Sequence, residues 1–297
     1  MDNNERIEIY ISTRNRPDTI LKSLDSVLNQ TYKNIEIIVS DNSTNDTTYE
    51  LLINHKDFNK IKYIKRNPTF DCFSQHLNQI RKEIKTNYYM IFHDDDEMLP
   101  NMVEVLYNNI KKDSTIAAIG SNAYTIRYGK KKGLFFKSNH DVTIKEQDDL
   151  IYRYCSGKEF IAPFPSYLYN KELVGKLENI YSHGGMYSDA SFLVDLLNNG
   201  KILILRKPLM NWYIYRVCLS HSHNYEQYFS LINYFQKIVK DKSAITNIRI
   251  YNIYNEAIIS ADGKRKYKFR KNIFFILLKY SPYNYFLKYI IKLIHIK

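Results

Sequence analysis

The sequence predicts an α/β fold, a Rossmann-like, mostly parallel central sheet flanked by helices. Three observations predict it. Strand-like segments alternate with segments of helical spacing through roughly the first 120 residues, the pattern that builds parallel sheets covered on both faces. Polar and charged stretches at residues 13–16, 41–46 and 93–97 each follow a strand, where the ligands of such sheets bind. A chain of 297 residues with 44% apolar content is long enough to bury a full core.

The elements follow in order. "RIEIYIS" alternates apolar and polar residues and reads as a strand. Ile20, Leu21, Leu24, Val27 and Leu28 then recur at helical spacing, with Pro17 suited to the first turn. "NIEIIVS" is a second strand, and "DNSTND" after it is a loop rich in turn and cap formers. A helix carrying Tyr49, Leu52 and Ile53 leads to the short strand "IKYI", and residues 71–85 read as helix before the strand "YYMIF". Another helix follows Pro100, and "IAAIGS" is a further strand.

The second half is less regular. "KKKGLFFKSNHDVTIKEQDDL" reads as a surface loop or hairpin, and "FIAPFPSYLYNKELV" as a Pro-rich turn followed by a strand. "YSDASFLVDLLNNGKILIL" has an acidic start, a helix and a strand, and from about Tyr225 the pattern is helical to the end. The organisation expected is an α/β domain over residues 1–222, split into halves at 125 and 126, and a helical basic region over 223–297. No G-x-G-x-x-G or G-x-x-x-x-G-K-[ST] occurs, so a dinucleotide site or P-loop lacks support.

The net charge is +12, and it is unevenly placed: from Lys264 to Lys297 there are ten Lys and Arg and no Asp or Glu. Mixed with large apolar and aromatic residues, this segment reads as an interfacial helix pair broken near Pro282 that meets an anionic membrane surface. A basic-faced helix packed on the domain is the plainer reading, and nothing suggests base readout of nucleic acid. Cys72, Cys155 and Cys218 show no metal or disulfide spacing and read as reduced thiols of a cytosolic compartment. The polar N-terminus does not resemble a secretory signal, and no apolar run approaches the ~20 residues that span a bilayer.

Asp94, Asp95 and Asp96, at the end of an apolar strand, offer hard oxygen ligands of the kind Mg²⁺ and Mn²⁺ take. A solvated turn capping the next helix explains them equally well from spacing alone. Asp41 could accept from a nucleoside, or cap the helix near Thr47. Arg14 and Arg16 are nucleotide contacts or ordinary surface residues. Asp189, after the Gly184-Gly185 pair, is a helix N-cap or a general base. His221 and His223 are loop histidines or ligands.

Taken together, these segments resemble the family 2 glycosyltransferases. "IEIYISTRNRPDTILKSLDSVLNQTYKNIEIIVSDNSTND" is close to that family's N-terminal pattern, "FHDDDEMLP" looks like its D-x-D region, and "PFPSYLYNKEL", "SDASFLVDLLNNGKILIL" and "KPLMNWYIYR" look like its acceptor-side segments. The resemblance implies the GT-A fold and inverting transfer of a hexosyl or N-acetylhexosaminyl group. The donor would be a nucleotide sugar, typically a UDP-sugar. The acceptor would be a glycan or lipid-linked hydroxyl in bacterial surface polysaccharide synthesis, such as O-antigen or capsule, at the inner face of the cell membrane. It places Thr13, Asn15, Arg16, Asp41, Asn78 and Asp94 at the nucleotide. Asp95 and Asp96, with His221 as a further candidate, would hold Mn²⁺ or Mg²⁺, and Asp189 would be the catalytic base. The sequence departs from the family at His93, where an Asp usually opens the acidic block, and at Ser188, where a Glu often precedes the base. The other classes weighed are a sugar nucleotidyltransferase and a non-enzymatic membrane- or nucleic-acid-binding protein.

Overall fold

The computed structural model describes residues 5–156, 161–177, 180, 183–214, 225–248 and 251. Strand β1 (Ile7–Thr13), helix α1 (Pro17–Leu28), β2 (Ile35–Asp41), α2 (Thr47–Ile53), β3 (Ile61–Lys65), α3 (Phe73–Glu83) and β4 (Tyr88–His93) form the expected alternation. Next come the two-residue strand β5 (Glu97–Met98), α4 (Met102–Ile110), β6 (Ile116–Arg127), β7 (Lys130–Leu134), β8 (Val142–Ile144) and α5 (Gln147–Ser156). The chain continues with β9 (Leu168–Asn170), α6 (Lys171–Gly175), α7 (Ser188–Leu196), β10 (Lys201–Ile214) and α8 (Tyr225–Ile238).

One mixed sheet runs in the order β3-β2-β1-β4-β9-β6-β10-β5, with β7 on β6 and β8 on β10. The pairs among β3, β2, β1 and β4 are parallel, as is β6 with β10. Strand β9 is antiparallel to both β4 and β6, so β4 and β6 point the same way and end at the same edge.

The strands are apolar on both faces because both faces are covered. In β1, Ile7, Ile9 and Ile11 belong to one buried cluster with the inner faces of α1, α2 and α4; Tyr10 belongs to the other, with α3, α5, α6, α7 and α8. The alternation follows from the two-residue period of a strand. Helix α8 is part of this second core: Tyr228, Leu231, Ile232 and Phe235 are buried in it beside Phe192 and Leu193 of α7. The boundary expected at residue 222 therefore falls between two elements that share one core.

Two differences from the sequence reading lie in the second half of the chain. The loop or hairpin expected after β6 is a ribbon, β7, plus strand β8 and helix α5. Strand β10 runs through "KPLMNWYI" rather than stopping before it, with register shifts flanking Pro208 where its missing N–H interrupts the ladder. Cys72 and Cys155 are free thiols, as expected. His221, Cys218 and residues 264–297 lie outside the described residues.

Candidate active site at the carboxyl edge of the sheet

Strand β1 lies between β2 and β4, so the ends of these three strands open onto one crevice, and the loops leaving them meet there. The backbone N–H of Asn42 donates to the Thr13 carbonyl at 2.9 Å, and that of Asn15 to Ser43 Oγ at 2.7 Å. Asn15 Oδ1 accepts from the Thr44 N–H at 2.9 Å. Asn15 holds a left-handed conformation, φ 53°, which Asn tolerates better than most residues. Asp41 is fully buried: Oδ1 accepts from the Ser43 N–H at 2.8 Å and Oδ2 from the Tyr63 hydroxyl at 2.6 Å. Asp41 thus anchors the loop that forms one wall of the crevice.

The acidic triplet closes the other side. Arg16 reaches across the crevice, its Nη1 3.2 Å from Asp94 Oδ1 and 2.7 Å from Asp95 Oδ2. The Tyr213 N–H of β10 donates to Asp96 Oδ1 at 3.0 Å. Burial drives the Asp94 carboxyl up to about 7 against the pull of Arg16, and burial beside Asp95 drives Asp96 well above the usual carboxylate range. Burial holds His93 below the usual imidazole range, so it is neutral and able to coordinate.

These residues fit a divalent cation. One donor atom each from His93, Asp95 and Asp96 lies within 4.8 Å of the others, and among the described residues the buried His93 Nε2 has no hydrogen-bond partner. Clustered buried carboxylates are costly without compensating positive charge; Arg16 supplies one unit and a divalent ion would supply the rest. The sequence reading noted His93 only as a departure from Asp, and a ligand role for it is visible only once the strand end is folded.

Asp189 stands in the first turn of α7, where the N-cap position is Tyr187, so it is not the cap. Its Oδ1 accepts from the Ala190 N–H at 2.9 Å, and burial raises its carboxyl to about 6 although part of its surface stays accessible. The Gly184-Gly185 pair before it is a fitted joint: φ is 89° and 53°, and a Cβ on Gly185 would collide with Gln227 of α8. Gln227 Oε1 also accepts from the Met186 N–H at 2.8 Å. Asn78, expected at the nucleotide, instead donates to the Ile180 carbonyl at 2.6 Å, and Arg81 donates to the Leu177 carbonyl at 3.0 Å. Helix α3 thereby ties the segment leading to Asp189 to the first half of the sheet.

The profile of Glycosyl transferase family 2 matches residues 8–178, more than half of the chain. The chain belongs to that family. Among characterised relatives, an Escherichia coli UDP-Glc:alpha-D-GlcNAc-diphosphoundecaprenol beta-1,3-glucosyltransferase, WfaP, is 31% identical over 42% of this chain and 55% of its own length. The GalNAc(5)-diNAcBac-PP-undecaprenol beta-1,3-glucosyltransferase of Campylobacter jejuni is 25% identical over 64% of this chain and 62% of its own. The chain thus matches less than two thirds of either relative. Among solved structures, S. aureus TarS in complex with UDP-GlcNAc superposes with a TM-score of 0.62 at 14% identity, over 82% of this chain and 70% of that one. A mannosyltransferase from Pyrobaculum calidifontis, in complex with GDP-Man and Mn²⁺, gives 0.57 at 14%, over 97% and 85%. At that identity the likeness speaks for the fold, and the fold of this family 2 chain is GT-A.

Proposed function

We propose that this family 2 protein is an inverting glycosyltransferase. In this reading it moves a hexosyl or N-acetylhexosaminyl group from a nucleoside-diphosphate donor, a UDP-sugar, to a hydroxyl of a glycan or lipid-linked acceptor in bacterial surface polysaccharide synthesis. The observation that carries this is the meeting of Arg16, His93 and the acidic triplet at one edge of the sheet. Thr13, Asn15, Arg16, Asp41 and Asp94 frame the nucleotide, while Asp95, Asp96 and His93 hold the cation. A donor set that includes an imidazole favours Mn²⁺ over Mg²⁺, which prefers oxygen alone. When bound, the cation offsets the charge that builds on the departing diphosphate.

Asp189 acts as the base. A carboxyl raised to about 6 is ionised at neutral pH yet more basic than an ordinary aspartate, which suits it to accept a hydroxyl proton. As the acceptor oxygen forms its bond to the anomeric carbon, the bond from that carbon to the diphosphate oxygen breaks on the opposite face. The nucleoside diphosphate leaves, and the proton passes to Asp189. The two named relatives use diphosphoundecaprenol-linked acceptors, which supports an acceptor presented at a membrane. Among the described residues no helix is long and apolar enough to cross one; in this reading the basic segment 264–297 attaches the protein peripherally. In this scheme residues 1–222 together with α8 carry the transferase machinery, residues 264–297 attach it, and His221 is a further candidate ligand. The test is donor hydrolysis across a panel of nucleotide sugars with and without Mn²⁺. Turnover of one donor that vanishes with chelator is expected; indifference to every donor and to Mn²⁺ would overturn the proposal.

A further inference from the structure

In the ribbon formed by the end of β6 and by β7, Ile126 alone is buried, and it belongs to neither of the two core clusters. Every residue of β7 is exposed, and among the described residues β7 pairs only with β6. Between Tyr124 and His140 the chain carries Arg127, Lys130, Lys131, Lys132 and Lys137 and no acidic residue. At its tip Tyr128 is 61% exposed, and Leu134 at its base is 43% exposed. A solvated basic turn would account for the lysines but not for the tyrosine. Tyr128 and Gly129 both have left-handed φ, 52° and 69°, the two-residue hairpin geometry that Asn-Gly fills with least strain. A bulky ring at that position is held out at a local cost, with Arg127 lying over it at 5.3 Å.

The position of the ribbon is fixed by register. Asn211 of β10 pairs with Glu97 on one side and Tyr124 on the other, so the acidic block is level with Tyr124. From Tyr124 to Tyr128 the strand rises about 13 Å at ~3.3 Å per residue. The tip therefore projects past the candidate active site on the same edge of the sheet. We propose that this ribbon is a docking surface for an anionic lipid bilayer, with Tyr128 at the headgroup level and the cations of residues 127–132 against anionic headgroups. Docked this way, the carboxyl edge faces the membrane. The inference rests on the reading of a membrane-presented acceptor given above, and it adds a contact separate from residues 264–297.

The full-length protein is sedimented with vesicles of phosphatidylglycerol and phosphatidylcholine, and with vesicles of phosphatidylcholine alone. Each lysine near an anionic surface strengthens partitioning about five-fold. The combined variant Lys130→Gln, Lys131→Gln, Lys132→Gln is expected to bind anionic vesicles about 100-fold more weakly, and Tyr128→Ser several-fold more weakly. Neither should change the thermal midpoint or donor hydrolysis. Anionic-vesicle binding equal to wild type in the triple variant would overturn the inference. So would loss of RNA retention in that variant with vesicle binding intact, which would make the ribbon a nucleic-acid arm. If the triple variant loses vesicle binding while even wild type turns over no donor, the transferase reading fails and the docking surface stands. Normal turnover with unchanged vesicle binding refutes the docking surface alone.

Discussion

Replacing Asp189 by Asn should make the protein more stable and nearly inactive. Burial raises this carboxyl from 3.8 to about 6. The folded state therefore binds the proton more tightly than the unfolded chain, and stability contributed by the protonated acid is lost as pH rises from about 4 to about 6. A shift of about two units corresponds to about 3 kcal/mol in full; the surface that Asp189 keeps open to water brings the expected effect to about 2 kcal/mol. Asn is nearly isosteric, carries no charge, and keeps an oxygen for the Ala190 N–H. Urea titrations from pH 4 to pH 8 should show the two proteins converging at pH 4, separating through pH 6 and differing by about 2 kcal/mol above pH 7. Transfer should fall at least ~100-fold, the low end for loss of a general base, with donor binding retained. Equal stability at pH 7.5, or a gap that does not vary with pH, would refute the desolvation argument. Wild-type turnover would remove Asp189 from the reaction.

Three further outcomes are expected. His93→Ala should weaken Mn²⁺ binding, measured by calorimetry, by about ten-fold or more while leaving Mg²⁺ binding nearly unchanged, because only the softer ion gains from an imidazole. Arg16→Gln should tighten Mn²⁺ binding in the absence of nucleotide several-fold, since it removes the cation paired with Asp94 and Asp95, and should weaken nucleoside-diphosphate binding in a thermal-shift titration. Gln227→Met should lower kcat with the donor KM unchanged, and Gln227→Glu should restore most of it, because the acceptor for the Met186 N–H is what holds the turn before Asp189. Loss of kcat and donor affinity together would point to a global effect instead.

The half of the fold that was legible in the sequence is the half buried on both faces. Strands β1, β2 and β4 are near-continuous apolar runs because helices cover both sides, and the polar residue that ends each run marks the crevice. Strand β5 was hidden because two residues, Glu97 and Met98, carry no period. Strand β7 could be read only as a loop or hairpin because it is Lys-rich and exposed throughout, so hydrophobic alternation has nothing to report. The site divided similarly. The convergence of residues 13–16, 41–46 and 93–97 was readable because all three sit at strand ends. The partner of Asn78 was not, since a carbonyl 102 residues away leaves no mark in local sequence. Nor did the Gly184-Gly185 pair show in sequence that its positive φ values and the helix pressed against it make it a fitted joint.

The contact between α8 and that joint bears on how the protein can be trimmed. Someone designing a minimal transferase would stop the chain soon after β10, where the family's matched segment has already ended. That cut would strip Leu231 and Phe235 from the interior, uncover Phe192, and leave the hinge ahead of Asp189 with no wall behind it. The shortened protein would keep every residue proposed for donor and metal, and still misplace the one proposed to meet the acceptor.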